Sequence, residues 1–199
     1  MAAPAPAPDA VRAAGLARGA QIIWIAPLAL CALLDPHVAL SEGGVSNYGN
    51  HVATAPLYVV SFAGNALVLL GAARALAPSL ARGRAIVLGL RAVAALELVV
   101  LATTFVRRYS FTWSLVHDDL GVAQFAAAAA VAVVIVARWP RGDALTFLVV
   151  QVAGSLLGLL SALRVIHLLF WGQVVGSLGF AATLGIVLAR GVREAAAGS

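Results

Sequence analysis

Apolar residues in this chain do not alternate with polar ones; they come in long runs. Six stretches carry few or no charges, and short polar intervals separate them. The first covers about Ala20 to Leu34 and the second about Ala53 to Ala77. The third covers about Ala85 to Phe105 and the fourth about Leu115 to Arg138, ending at Trp139-Pro140. The fifth starts near Asp143 and reaches about Ala162, and the sixth covers about Leu168 to Ala189. A hydrocarbon core of about 30 Å takes about 20 helical residues at 1.5 Å each. All but the short first run approach or exceed that length. Ala, Gly, Leu and Val fill the runs without the period of two that marks a barrel strand, so they read as helices. The pattern predicts an all-α fold, a polytopic membrane protein with a six-helix transmembrane bundle over residues 20–190. Met1 to Gly19 is Ala/Pro-rich and reads as a disordered cytoplasmic tail; residues 191–199 read as a second tail. A positive start and a short apolar core also fit a cleaved signal peptide, though Asp35-Pro36 is a poor cleavage context.

Composition agrees with the pattern. Of 199 residues, 62% are hydrophobic and only 11% charged, with a mean hydropathy of +0.99, too few polar groups to clothe a soluble domain. A net charge of +5 would point to nucleic acid in a soluble protein. Here the arginines give it another meaning, and no nucleic-acid partner is expected. Arg12, Arg18, Arg74, Arg82, Arg84, Arg138, Arg141, Arg190 and Arg193 fall at one set of alternate intervals. Only Arg107, Arg108 and Arg164 fall at the other, and Arg91 lies within span 3. The asymmetry places both termini in the cytoplasm. Trp113 and Trp171 then sit at the outer interface and Trp139 at the inner one. There is no Lys, which excludes a retinal Schiff base, and the single Cys31 excludes an intramolecular disulfide. The Ala and Arg bias suggests a GC-rich bacterial genome, so the expected location is the bacterial plasma membrane, multi-pass.

The longest polar interval is Asp35 to His51, the first outer loop. Ser41, Glu42, Ser46, Asn47, Tyr48 and Asn50 make it unusually polar, and Gly43-Gly44 permits positive φ and a sharp turn. Such a loop folds over the bundle mouth as a lid or stays solvated. All four histidines, His37, His51, His117 and His167, fall at this outer side, as do Asp35, Glu42, Asp118 and Asp119. Histidines and carboxylates converging from several helix ends would suit a divalent metal, although no local HxxxH or HExxH spacing is present. His117, Gly121 and Gln124 share one helical face. Asp118 and Asp119 fall in the expected first turn of span 4, where they read as caps before they read as catalytic acids. His117 with Asp118 is the candidate general base or ligand. Glu97 in span 3 lies roughly 12 Å below the outer helix end. It must be protonated, paired or facing a wet cavity there, with Asn65 and Gln151 as partners at comparable depth. Gly154-x-x-x-Gly158 and Gly172-x-x-x-Gly176 let helices approach closely, within one bundle before between two.

Ser41-Glu42-Gly43-Gly44, Gly64-Asn65, and His117-Asp118 with Leu120-Gly121 together resemble the six-span bacterial family called domain of unknown function 998. That family is similar to the eukaryotic Frag and DRAM-type membrane proteins. The resemblance covers spans 1 to 4; spans 5 and 6 match in hydropathy alone. The family loop usually reads closer to Ile-Ser-Asp-Leu-Gly, and its aromatic-Pro pair before the span 4 His is absent here. The resemblance implies six helices and lipid handling, and supplies no catalytic residue.

The leading expectation is an integral membrane protein that binds lipid or a membrane-protein partner at its outer face, through Ser41, Glu42, Asn47, Tyr48, Asn65 and Gln124. One alternative is a metal-dependent lipid hydrolase or transferase, with ligands from His37, His51, His117 and His167 and an acid activating water. Another is a small proton-coupled transporter using Glu97, against which stands the lack of an evident inverted repeat.

Overall fold

In the computed structural model of the chain, residues 8–40, 44–78 and 83–197 are described. Ser41, Glu42, Gly43 and residues 79–82, among them Arg82, lie outside them. The helix α1 (Pro8–Leu34) leads through the short α2 (Pro36–Leu40) and a 3-10 turn (Val45–Asn50) to α3 (Ala55–Leu76). Then come α4 (Arg84–Val106), a 3-10 turn (Arg107–Tyr109), α5 (Phe111–Arg138) and α6 (Gly142–Ala162). The last span, α7 (Leu169–Ala182), passes through a π turn (Thr183–Leu188) into α8 (Ala189–Ala197). Six helical stretches are long and apolar enough to cross a membrane, and no strand occurs among the described residues. Short connections make consecutive spans antiparallel. α1 packs on α3, α3 on α4, α4 on α5 and α6 on α7, while α8 closes the ring against α1. Both ends of the described chain therefore lie at one end of the bundle. The other end, carrying the 3-10 turns, is its mouth.

Three elements start or run differently from the expectation. Span 1 was expected from about Ala20, with a disordered tail before it; the helix begins at Pro8. Ala13, Ala17 and Ala20 recur on one face and are fully buried, so small side chains dock this extra stretch on the bundle. Span 4 begins at Phe111, not Leu115, because Ser110 caps it: its hydroxyl accepts from Trp113 N at 3.1 Å. Asp118 and Asp119 consequently lie beyond the first turn, and their reading as caps fails. Gly44 takes φ −81° and ψ 176°, ordinary extended backbone, so the positive φ expected of it is not used. Its lack of a Cβ matters instead, since a Cβ would press on the Gln173 amide.

Two irregular turns are stitched by side chains. Pro27 within α1 lacks the N–H that would bond one turn back. In that weakened turn Ser61 Oγ donates to Trp24 O at 2.7 Å, tying α1 to α3. In the π turn, Arg18 Nε donates to Gly185 O at 2.7 Å. The two GxxxG elements face each other across α6 and α7: a Cβ on Gly154 would overlap the Gly176 backbone, and one on Gly172 the Gly158 backbone. Those motifs serve contact within the bundle. α6 ends in a Schellman turn, with Val165 N to Leu160 O at 2.9 Å and Arg164 N to Ser161 O at 2.9 Å. Arg164 there has φ 59°, the left-handed region.

The buried apolar residues form two clusters. One, at the end holding the termini, includes Leu69, Leu90, Ile135 and Leu188. The other, at the mouth, includes Trp24, Tyr48, Tyr58, Phe62 and Phe170. Between them runs a buried polar layer of Gln21, Asn65, Glu97 and Gln151.

Candidate functional site: a cavity at the bundle mouth

α5 and α6 pack least closely of the consecutive spans. A cavity of about 250 Å³ lies between them, just below the roughly 300–1,000 Å³ usual for ligand pockets. On α5 its lining runs from His117 to Ala129, roughly 18 Å at 1.5 Å per residue. On α6 it runs from Ala162 down to Val152. Most of the wall is apolar, and small residues make the room: Gly121, Ala126 and Ala129 face Gly154, Gly158 and Ala162. Val122, Val152, Leu156 and Leu159 line the cavity and are also exposed on the outside of the bundle. The cavity thus opens sideways through apolar side chains.

Polar groups gather at the mouth, Arg107, His117, Asp118 and Gln173 with Ser46 of the loop, and Gln124 and Ser155 line the wall below them. The described part of the first loop covers this mouth like a lid. Gly44, Val45 and Ser46 form part of the wall, and Val45 N donates to Gln173 Oε1 at 2.8 Å. Arg107 Nη2 donates to Asn47 Oδ1, pinning the 3-10 turn to the end of α4. Beneath it Thr54 Oγ1 donates to Tyr48 O at 2.8 Å, and the buried Cys31 Sγ lies 3.6 Å from Thr54 O. Tyr48 is fully buried and meets Phe170 edge-on at 6.1 Å. Burial pushes its phenol up to about 12, with the charges of Cys31 and Asp35 adding. Tyr48 and Asn47 therefore build the lid and do not line the cavity.

The other sequence candidates divide. His117, Gly121 and Gln124 all reach the cavity, as their shared face requires. His117 is buried, with Nδ1 3.0 Å from Thr103 Oγ1. Asp118 lines the cavity from an exposed position; Asp119 does not line it. His51 Nδ1 pairs with Asp35 Oδ2 at 2.5 Å on the surface, while His37 and His167 are exposed. Among the described residues no three His, Cys, Asp or Glu side chains gather closely enough to hold a metal ion. Asn65 and Gln124 meet at Glu97: Asn65 Nδ2 donates to Glu97 Oε1 at 2.7 Å and Gln124 Nε2 to the same oxygen at 3.2 Å. Gln151 faces the same layer without bonding Glu97.

Sequence reasoning passed over Arg107, Gln173 and Gln21. Arg107 was counted only for orientation, and a lone Gln in an apolar run carries no signal until a neighbouring helix is placed. Comparison with known protein families, with curated proteins and with solved structures finds no match.

Proposed function

We propose that this integral membrane protein binds a lipid, taking its acyl chain between α5 and α6 and its headgroup under the first loop. One observation carries this reading: the cavity opens sideways through exposed apolar residues of two transmembrane helices and ends in Arg107, Asp118 and Gln173. A soluble ligand would have no use for the apolar side door. A lipid enters from the bilayer without leaving hydrocarbon, and its polar end meets hydrogen-bonding groups at the mouth. The slot is narrow and its volume modest, which suits one chain better than a whole diacyl lipid. Arg107 supplies a guanidinium for an anionic headgroup. Lipid handling is also what the resemblance of spans 1 to 4 implies. The Arg distribution supports a mouth outside the cell, and the Ala and Arg bias of the composition supports a bacterial plasma membrane. The metal-dependent hydrolase is the weaker reading, because the histidines stand apart.

Gly121→Phe tests the proposal. No atom lies within 4 Å of a Cβ built at Gly121, so the larger ring fills the cavity without displacing backbone. Lipid retained through detergent purification, measured by native mass spectrometry, falls in Gly121→Phe while the helical signal and elution volume stay those of wild type. Equal lipid in the two proteins overturns it.

A further inference from the structure

The polar layer at the centre of the bundle encloses a second, smaller chamber of about 30 Å³. Gln21 of α1, Asn65 of α3, Glu97 of α4, Gln124 of α5 and Gln151 of α6 all line it. Five helices thus aim five polar side chains at one point, between two apolar clusters. Glu97 and Asn65 are each 3% exposed, Gln151 1% and Gln21 7%. Glu97 Oε1 accepts from both Asn65 and Gln124. Among the described residues its Oε2 has no partner, and neither do Asn65 Oδ1, Gln151 Oε1, Gln151 Nε2 and Gln21 Nε2. Buried polar atoms are satisfied as a rule, so a cluster of orphans on one small chamber marks a ligand.

Two N–H donors hold Glu97 through Oε1, so ionising the carboxyl would leave a negative charge on the free Oε2. Such a charge at mid-bundle needs a counter-charge, and among the described residues no Arg or His lines the chamber. Unpartnered oxygens remain on Glu97, Asn65 and Gln151. We propose that this chamber binds a sodium-sized monovalent cation through Glu97 Oε2, Asn65 Oδ1 and Gln151 Oε1. Hard cations take oxygen ligands. A single carboxylate among neutral amides cancels one positive charge and leaves none over; a divalent ion would leave a buried net charge. The volume admits about one water-sized sphere, so the ion sheds most of its hydration and the amides replace it. Trp24, Gln124 and Phe125 line both this chamber and the mouth cavity, so the ion's entry is from the mouth. The site uses none of the mouth groups and stands or falls apart from lipid binding.

The full chain in detergent is titrated with sodium chloride at constant ionic strength, with N-methyl-D-glucamine chloride as balance. Thermal unfolding and equilibrium binding of radioactive sodium are read together. Wild type binds sodium saturably near one per chain and unfolds at rising temperature as sodium replaces the bulky cation. Glu97→Gln, which keeps the amide contacts, stays folded and loses both responses; Gln151→Leu weakens sodium binding by about tenfold or more. Wild type that neither binds sodium nor responds to it holds only water there, and the proposal fails. It fails equally if Glu97→Gln binds sodium as wild type does.

Discussion

The buried His117 rests on a hydroxyl and not on a carboxylate: its Nδ1 lies 3.0 Å from Thr103 Oγ1. Thr103 Oγ1 spends its own proton on the α4 backbone, 3.0 Å from Val99 O and 3.0 Å from Val100 O. Toward His117 it accepts, which places the imidazole proton on Nδ1 and leaves Nε2 without one. Thr103→Val removes that acceptor and lowers stability by about 1 kcal/mol. Denaturation in detergent measures it. Nitrogen-15 spectra of the imidazole show the Nδ1–H tautomer in wild type and its loss in Thr103→Val. Zinc content is the same in wild type and His117→Ala, since among the described residues no three His, Cys, Asp or Glu side chains gather closely enough to hold a metal ion. Stoichiometric zinc that disappears in His117→Ala would revive the hydrolase reading.

The two glycines of the α6 motif are not equivalent. A Cβ on Gly154 would run into the Gly176 backbone, while one on Gly158 would sit 3.9 Å from Gly172 C, an ordinary contact. Gly154→Val therefore destabilises by about 3 kcal/mol or more. Gly158→Ala is neutral or slightly stabilising, because alanine favours the helix. Elution profiles after graded heating separate the two. Equal damage from both would mean that the helices cross elsewhere.

Two buried tyrosines make opposite predictions. Tyr58 OH lies 2.9 Å from Thr104 Oγ1, whose proton goes to Val100 O at 2.9 Å, so the phenol donates. Tyr58→Phe costs about 1 kcal/mol. The Tyr48 hydroxyl is buried without a partner among the described residues, and Tyr48→Phe is neutral or stabilising by up to about 1 kcal/mol. Alkali adds a second readout. Burial raises the Tyr48 phenol, so the stability of its neutral form is intact below about pH 10 and is lost as pH rises through about 12. Melting temperatures across that window fall less steeply in Tyr48→Phe.

The left-handed turn at Arg164 stores strain that glycine would relieve. Its hydrogen bonds are those of a Schellman cap, where glycine is the usual residue. Arg164→Gly stabilises the protein by about 1 kcal/mol, and Arg164→Val destabilises it further than the native arginine does. Chemical denaturation in detergent checks both.

Spans were legible in the sequence because the bilayer imposes length and apolarity directly on it. The facing glycines and the shared face of His117, Gly121 and Gln124 followed from helical period alone. Glu97 with Asn65 followed from depth, since an acid in hydrocarbon needs a partner at its own level. Helix rotation about the long axis did not follow. Gln21 and Gln173 reach their sites through it, and so does Arg107, whose contact with Asn47 joins residues far apart in the chain. The start of α5 was missed because Ser110 is a small local cap beside a Trp and Phe that resemble loop anchors. Once it is placed, Asp118 changes from a helix cap to a residue of the cavity wall, and Asp119 to an exposed residue outside it.

Orientation rests on the arginines and is open to direct chemistry. Val52 at the mouth is 95% exposed, and Gly142 at the opposite end is exposed with nothing within 4 Å of its Cβ. Ser46, an obvious polar choice in the loop, is buried at 7% exposure and would label poorly. Cys31 is also buried, so the native thiol stays silent. In intact cells an impermeant maleimide labels Val52→Cys and leaves Gly142→Cys untouched until the membrane is opened. The excess of arginine at the terminal end predicts this order. The reverse order would turn the cavity mouth to the cytoplasm, and the lipid headgroup in the proposed site would belong to the inner leaflet.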